Sequence, residues 1–271
     1  MQRLDCGPGM IFVPWHGEHT KAVSIYAGFA APPHGNDSKQ GACLCRRRRH
    51  ATLPSSKSAS PGFMPKRTKS SARWLEEHES DPYVKAARAA GYRSRAVYKL
   101  EEIHRSDRLL KPGMRIVDLG AAPGGWSQYC ARALNGSGRI VALDILPMDA
   151  IVGVEFIQGD FGLDAVFEQL MDHLGGDQID LVLSDIAPNM SGMADVDHLR
   201  AMHLVELTLD FAERCLRPGG DYLVKVFQGR DFQPFMQRLR TRFESVKTRK
   251  PKASRARSPE LYVLARGFRG R

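Results

Sequence analysis

The chain has 271 residues, 42% of them hydrophobic and 26% charged, with five cysteines and a formal net charge of +10. That is enough for one substantial soluble domain with an appendage, and the basic balance favours a polyanionic partner without separating RNA from DNA or an anionic membrane. No apolar run approaches the length of a membrane span, and Pro14, His16, Glu18 and His19 break any signal-like pattern, so the expected compartment is the cytoplasm.

Residues 1–63 carry Pro32-Pro33, the run Arg46 to Arg49 and the serine-rich stretch Ser55 to Ser60, with no sustained period of two or of 3.6. They are expected to be a disordered basic extension, dispensable or arising from a mis-assigned start, with the domain proper spanning residues 64–271. Cys43-x-Cys45 lacks a second ligand pair and His50 does not supply one, so no metal site is expected. Cys6, Cys43 and Cys45 sit in unpatterned sequence and Cys130 and Cys215 in helical segments, which fits a reducing compartment better than a disulfide framework.

After Met64 the pattern alternates. Helices are predicted over Trp74–Ala90 and Ser94–Ser106, the second with Val97, Leu100 and Ile103 on one face. Strands follow at Arg115–Gly120, Arg139–Asp144, Glu155–Gln158, Leu181–Asp185 and Tyr222–Phe227, with helices at Gly125–Leu134, Ala165–Leu174, Asp197–Leu216 and Phe232–Phe243. Apolar strands separated by helices read as an α/β fold with a mostly parallel sheet covered on both faces. The last two strands, Ser245–Lys250 and Leu261–Ala265, are joined by a basic loop rather than a helix, which predicts an antiparallel C-terminal hairpin. The ends of the domain are basic and its middle acidic: residues 64–111 hold 12 Lys/Arg against 7 Asp/Glu, residues 225–271 hold 14 against 3, and residues 112–224 hold 6 against 17. A basic platform built from both ends and an acidic cofactor half are expected.

The first strand runs into Asp118-Leu119-Gly120-Ala121-Ala122-Pro123-Gly124-Gly125-Trp126, a glycine-rich turn that opens a helix. Its G-x-x-x-G-G spacing departs from the G-x-G-x-x-G of dinucleotide sites, so no pyrophosphate need be seated there. The string resembles motif I of the S-adenosylmethionine-dependent methyltransferases, whose loop wraps the amino-acid end of the cofactor; Gly120, Gly124 and Trp126 are the cofactor residues this implies. Ligands of open α/β sheets lie at the carboxyl ends of the strands, where Asp144, Asp160 and Asp185 fall. Asp144 is expected to accept ribose hydroxyls, and Asp160 the adenine amino group, with Phe161 or Ile145 adding apolar contact.

Strand four ends in Asp185-Ile186-Ala187-Pro188-Asn189, an acid without the aromatic platform that holds a planar amine, which favours a hydroxyl acceptor. Lys225 stands in the middle of the otherwise apolar Tyr222–Phe227 strand, and a buried lysine must be paired or functional.

Taken together, Ser94-Arg95-Ala96-Val97-Tyr98-Lys99-Leu100, the glycine loop, Asp185 to Gly192, Val224-Lys225-Val226-Phe227-Gln228-Gly229, and the tail from Arg249 through Ser254-Arg255-Ala256-Arg257-Ser258 to Glu260 resemble the FtsJ-type ribose 2′-O-methyltransferases, more narrowly those of the bacterial large ribosomal subunit. The match runs from about Arg73 to Ala265. It implies a Rossmann-like, seven-stranded methyltransferase fold, S-adenosylmethionine as cofactor and a Lys-Asp-Lys-Glu tetrad of Lys99, Asp185, Lys225 and Glu260, with Asp185 also facing the cofactor. It also implies, as acceptor, the 2′-hydroxyl of a uridine in 23S rRNA, presented by the 50S subunit or a late precursor to a monomeric enzyme.

A ribose hydroxyl is a poor nucleophile and a sulfonium methyl an activated one, so such an enzyme mainly aligns the reacting atoms and manages one proton, which Lys225 either accepts or holds in place. Lys85, Arg88, Arg93, Arg95, Arg249, Lys250, Lys252, Arg255 and Arg257 are expected to bind phosphates. Methylation of tRNA or another RNA, and a cofactor-binding ribosome-assembly factor without turnover, stay open as alternatives.

Overall fold

A computed structural model describes residues 79–270 except Met190 and Ala256; the expected extension over 1–63, and the start of the first predicted helix, lie outside the described residues. Helix α1 (Pro82–Ala89) begins where Asp81 caps it, its carboxylate accepting the Tyr83 N–H at 2.9 Å, with Pro82 at the first turn. Helix α2 (Val97–Asp107) buries Val97, Leu100 and Ile103, the face predicted from spacing.

Strands β1 (Arg115–Leu119), β2 (Arg139–Asp144), β3 (Glu155–Gln158), β4 (Ile179–Ser184) and β5 (Leu216–Phe227) are parallel; β6 (Phe243–Arg249) and β7 (Glu260–Phe268) complete a seven-stranded sheet in the order β3-β2-β1-β4-β5-β7-β6. β7 runs antiparallel to both β5 and β6, as the basic connection predicts. Helices α3 (Gly125–Leu134), α4 (Asp164–Leu174), α5 (Ala194–Cys215) and α6 (Phe232–Arg242) join the strands.

Both faces of the sheet are covered at its centre, so β1, β2 and β4 are mostly apolar and buried, and the core forms two layers. One packs Val117, Val182, Tyr222, Val224 and Val263 against α4, α5 and α6; the other packs Ile116, Leu181, Leu223, Tyr262 and Leu264 against α2 and α3. The strand order reverses between β1 and β4, which opens a crevice at their carboxyl ends. There the Asp185 N–H donates to the Leu119 carbonyl at 3.3 Å. Gly120 (φ +77°) permits this approach: a Cβ on it would lie 2.5 Å from Ile186 Cγ1 and 3.0 Å from the Ile186 backbone.

Candidate active site

On β5 and β7 the register sets Lys225 opposite Tyr262 and Phe227 opposite Glu260, so Lys225, Tyr262 and Glu260 share the sheet face that packs on α2 and α3. α2 brings Lys99 to the same face, and the end of β4 brings Asp185. Lys225 Nζ donates to the Asp185 carbonyl at 2.6 Å and lies 3.0 Å from its Oδ1. That carboxylate oxygen also accepts the Tyr262 hydroxyl at 2.7 Å. Lys99 Nζ donates to the same hydroxyl at 2.9 Å and pairs with Glu260 Oε1 at 2.9 Å. The four expected tetrad members are thus brought into one hydrogen-bonded chain, with Tyr262 as its central link. Side-chain exposure of only 7% at Lys225 and 12% at Lys99 and Glu260 keeps these charges in a weakly screened setting.

Burial alone would raise the Asp185 carboxyl, but the charges of Lys225 and Lys99 and the Tyr262 hydroxyl outweigh it and hold the group below its ordinary value. At Glu260 burial is likewise outweighed, chiefly by Lys99. Burial drives the Tyr262 phenol well above its ordinary value, so it stays protonated and can donate to Asp185 while accepting from Lys99.

Trp126 is 3% exposed, donates its ring N–H to the Ala96 carbonyl at 2.8 Å and packs on Tyr262 with ring centres 5.7 Å apart. Its side chain therefore joins the glycine loop to α2 and the tetrad, leaving only its backbone for the cofactor role expected of it. Asp144 closes β2; its Oδ2 accepts the Ala122 N–H and its Oδ1 the Leu146 N–H, both at 2.8 Å. Each oxygen keeps a further acceptor site for a hydroxyl. Asp160 accepts the Gly162 N–H at 2.9 Å in a turn after β3. Of its two expected apolar neighbours, Phe161 is buried in the core against Phe167 and Phe211, whereas Ile145 is 47% exposed and available to a ligand.

In the glycine loop Gly124 has φ +105°, a region that favours glycine, and the space a Cβ would fill is taken by Ile151, Met148 and Arg93. Beneath it Asp118, 1% exposed, accepts the Ser127 hydroxyl on Oδ2 at 2.6 Å, while its Oδ1 has no hydrogen-bond partner. Burial pushes the Asp118 carboxyl up to about 7; the Ser127 bond offsets part of this, and the charges of Asp185 and Asp144 add to it. An acid whose folded value lies above its ordinary 3.8 costs stability as pH rises between the two, because the folded state must then either hold the proton or bury the charge. Asp118→Asn is therefore expected to gain about 2 to 3 kcal/mol relative to the parent between pH 5 and pH 8. Chemical denaturation at both pH values measures this; parallel stability profiles would contradict it.

Two residues central to this geometry were not singled out for it by sequence. Tyr262 reads as one more aromatic in an apolar strand, and only its i, i+2 relation to Glu260 hints at a shared face. Asp197, 4% exposed on α5, accepts the Ser191 N–H and hydroxyl, both at 2.7 Å, and the Gly192 N–H at 3.0 Å, fixing the segment that follows Asp185. Conversely, four of the nine expected phosphate ligands are committed within the chain. Arg249 pairs with Asp107, Lys250 donates to the Ser258 and Glu260 carbonyls, Arg95 joins Asp81 to the Ala253 carbonyl, and Arg93 holds three carbonyls. Lys85, Arg88 and Lys252 are exposed. Among the described residues no group of His, Cys, Asp and Glu is placed to hold a metal ion, and no helix is long and apolar enough to cross a membrane.

Comparison with known proteins agrees with this architecture. The chain is 58% identical over 205 residues to the ribosomal RNA large subunit methyltransferase E of Pseudomonas fluorescens, spanning 76% of this chain and 98% of that one. It is 60% identical over 203 residues to the protein of the same name from Dichelobacter nodosus, spanning 74% and 97%. A crystal structure described as a ribosomal RNA methyltransferase from Plasmodium falciparum superposes with a TM-score of 0.61 at 34% identity, over 66% of this chain and all of that one. The model of the FtsJ-like methyltransferases matches residues 92–268, and the chain belongs to that family.

Proposed function

We propose that the chain methylates the 2′-hydroxyl of a uridine ribose in 23S rRNA of the 50S subunit or a late precursor, in the cytoplasm, with S-adenosylmethionine as methyl donor. The observation that carries this reading is the Lys225–Asp185–Tyr262–Lys99–Glu260 chain at the carboxyl end of the sheet, joined to the glycine loop through the Asp185 to Leu119 hydrogen bond. Relatives named for large-subunit rRNA methylation support the choice of RNA.

When bound, the cofactor supplies a methyl group already activated on a sulfonium sulfur. The backbone of Gly120 to Trp126 would hold its amino-acid end, Asp144 its ribose hydroxyls, and Asp160 with Ile145 its adenine. Lys225 Nζ spends two of its three N–H groups on Asp185, which leaves one position for the 2′-oxygen. Asp185 fixes that amine from two sides, and Tyr262 fixes Asp185 in turn. Lys99 and Glu260 balance the charge, so two acids and two lysines share the hydroxyl proton as it leaves, and its titration belongs to the group. Lys225 thereby orients the oxygen in line for transfer, the larger part of the task when the donor is already activated. The catalytic unit spans residues 64–271, and residues 1–63 are dispensable for it.

Labelled cofactor offered to undermethylated 50S particles, naked 23S rRNA and tRNA tests the assignment. Good incorporation into particles with weak incorporation into naked rRNA is expected. Equal activity on tRNA would favour a tRNA enzyme, and binding without turnover on any substrate would favour an assembly factor.

A further inference from the structure

Arg93 lies in the turn between α1 and α2, among residues whose charge suggests phosphate binding, yet its guanidinium is already committed. Nη1 donates to the Asp149 carbonyl at 2.6 Å and the Pro123 carbonyl at 3.4 Å, and Nη2 donates to the Ala150 carbonyl at 2.8 Å. Its own backbone is anchored from the other side. The Arg93 N–H donates to Gln128 Oε1 at 3.2 Å, Gln128 Nε2 donates to the Gly91 carbonyl at 2.8 Å, and Arg132 reaches the Ala90 and Gly91 carbonyls while lying 4.2 Å from the centre of the Tyr92 ring. The turn is thus stitched to α3, the helix that the glycine loop opens, and Arg93 reaches from that base to the segment after β2.

That segment starts at Asp144 and Ile145 and has neither helix nor strand over residues 147–150. It stands over the glycine loop. A Cβ placed on Gly124 would lie 2.7 Å from Ile151 Cδ1, 2.8 Å from Met148 Sδ and 3.1 Å from Arg93 Nη1. The only fixed cation in this set bonds one carbonyl of the loop, Pro123, and two of the covering segment, Asp149 and Ala150. A planar guanidinium suits this bridge because its N–H groups diverge rigidly to several acceptors at once, which a lysine ammonium on a flexible stem does not match.

We propose that Arg93 is a positioning residue for the cofactor site, a clasp that fixes the 145–151 segment over Gly124 and so sets where Asp144 and Ile145 meet the nucleoside. This rests on the cofactor reading given above. Its consequence separates Arg93 from the phosphate-binding residues: loss of the side chain weakens cofactor binding and leaves particle binding unchanged.

The test uses the full chain with Arg93→Ala and Arg93→Lys, and Arg88→Ala as the exposed cationic comparison. Amide hydrogen exchange in the cofactor-free protein follows Leu146 and Val154, whose N–H groups are held by Asp144 Oδ1 and the Ile151 carbonyl. Exchange is expected to quicken about tenfold or more in Arg93→Ala and less in Arg93→Lys. Calorimetry should find the S-adenosylmethionine Kd raised about 10- to 100-fold in Arg93→Ala, with KM for 50S particles within about twofold, whereas Arg88→Ala raises that KM and spares the Kd. Unchanged exchange, faster exchange with an unchanged cofactor Kd, or a raised particle KM with an unchanged Kd would each overturn the clasp. Failure of the parent protein to bind the cofactor would instead overturn the cofactor reading, with exchange still reporting whether Arg93 holds the segment.

Discussion

Lys225→Ala is expected to abolish methyl transfer, lowering kcat by about a thousandfold or more, while the cofactor Kd stays within about threefold. The two readouts separate because the residues involved come from different strands. The loop and acids proposed for the cofactor, Asp144 and Asp160, follow β1, β2 and β3, whereas Lys225 lies in β5 and bonds to Asp185, which follows β4. Removing the ammonium leaves the Tyr262 hydroxyl bonded to Asp185 and Lys99 paired with Glu260, so the fold retains its anchor. On the proposed mechanism, what is lost is the donor that holds the acceptor oxygen in line. Lys225→Arg should rescue little, since a planar fork cannot take up the ammonium's position between the Asp185 carbonyl and carboxylate. Single-turnover assays with saturating particles, beside calorimetry of cofactor binding, measure both quantities. Turnover within tenfold of the parent would refute the role given to Lys225.

Asp185→Ala has the second large effect, and it strikes stability as well as turnover. The carboxylate faces Lys225 and Lys99 and accepts the Tyr262 hydroxyl, so its removal strips one buried cation of its counter-charge and leaves a buried phenol to find a new acceptor. Breaking a buried pair from one side costs about 3 to 5 kcal/mol, because the remaining charge stays desolvated. The variant should therefore unfold at markedly lower denaturant concentration and show no measurable turnover. Asp185→Asn keeps the shape and one hydrogen bond, so it should recover part of the stability and little of the activity. An Asp185→Ala protein as stable as the parent would contradict the coupled arrangement of the cluster.

The fold was legible where the physics is local. Apolar runs of Val, Ile and Leu located the first five strands and the helix-free basic connection the last two, with β2 and β3 matching to the residue, and α3 matched because the glycine loop fixes its start. Boundaries moved where tertiary contacts decide them. β5 begins at Leu216 rather than Tyr222, since Leu216 pairs with Ile179 and the ladder resumes at Asp221 with Leu181, so that Arg217 to Gly220 bulge out. Proline and two glycines there read as a turn between helix and strand. α5 likewise starts at Ala194, before the predicted Asp197, because the Asp197 side chain binds the turn that precedes the helix.

That the tetrad side chains would meet was legible through resemblance for Lys99 and Glu260, and through the expense of burying an amine for Lys225. Tyr262 was not, because its place depends on the pairing of β5 with β7, which no local pattern encodes. The same holds for the arginines. Charge counts identified basic ends, but Arg95, Arg249 and Arg93 each meet partners 56 to 158 positions away, and sequence proximity gives no view of those contacts.

Mapping ribose methylation by mass spectrometry tests the central claim most directly. Undermethylated 50S particles are treated with the purified protein and S-adenosylmethionine, then the 23S rRNA is digested and its nucleosides and fragments are weighed. The account predicts one new 2′-O-methyluridine, absent when Lys225→Ala replaces the parent. A methyl group on a base, modification of tRNA in place of 23S rRNA, or the same product from the Lys225→Ala protein would contradict it.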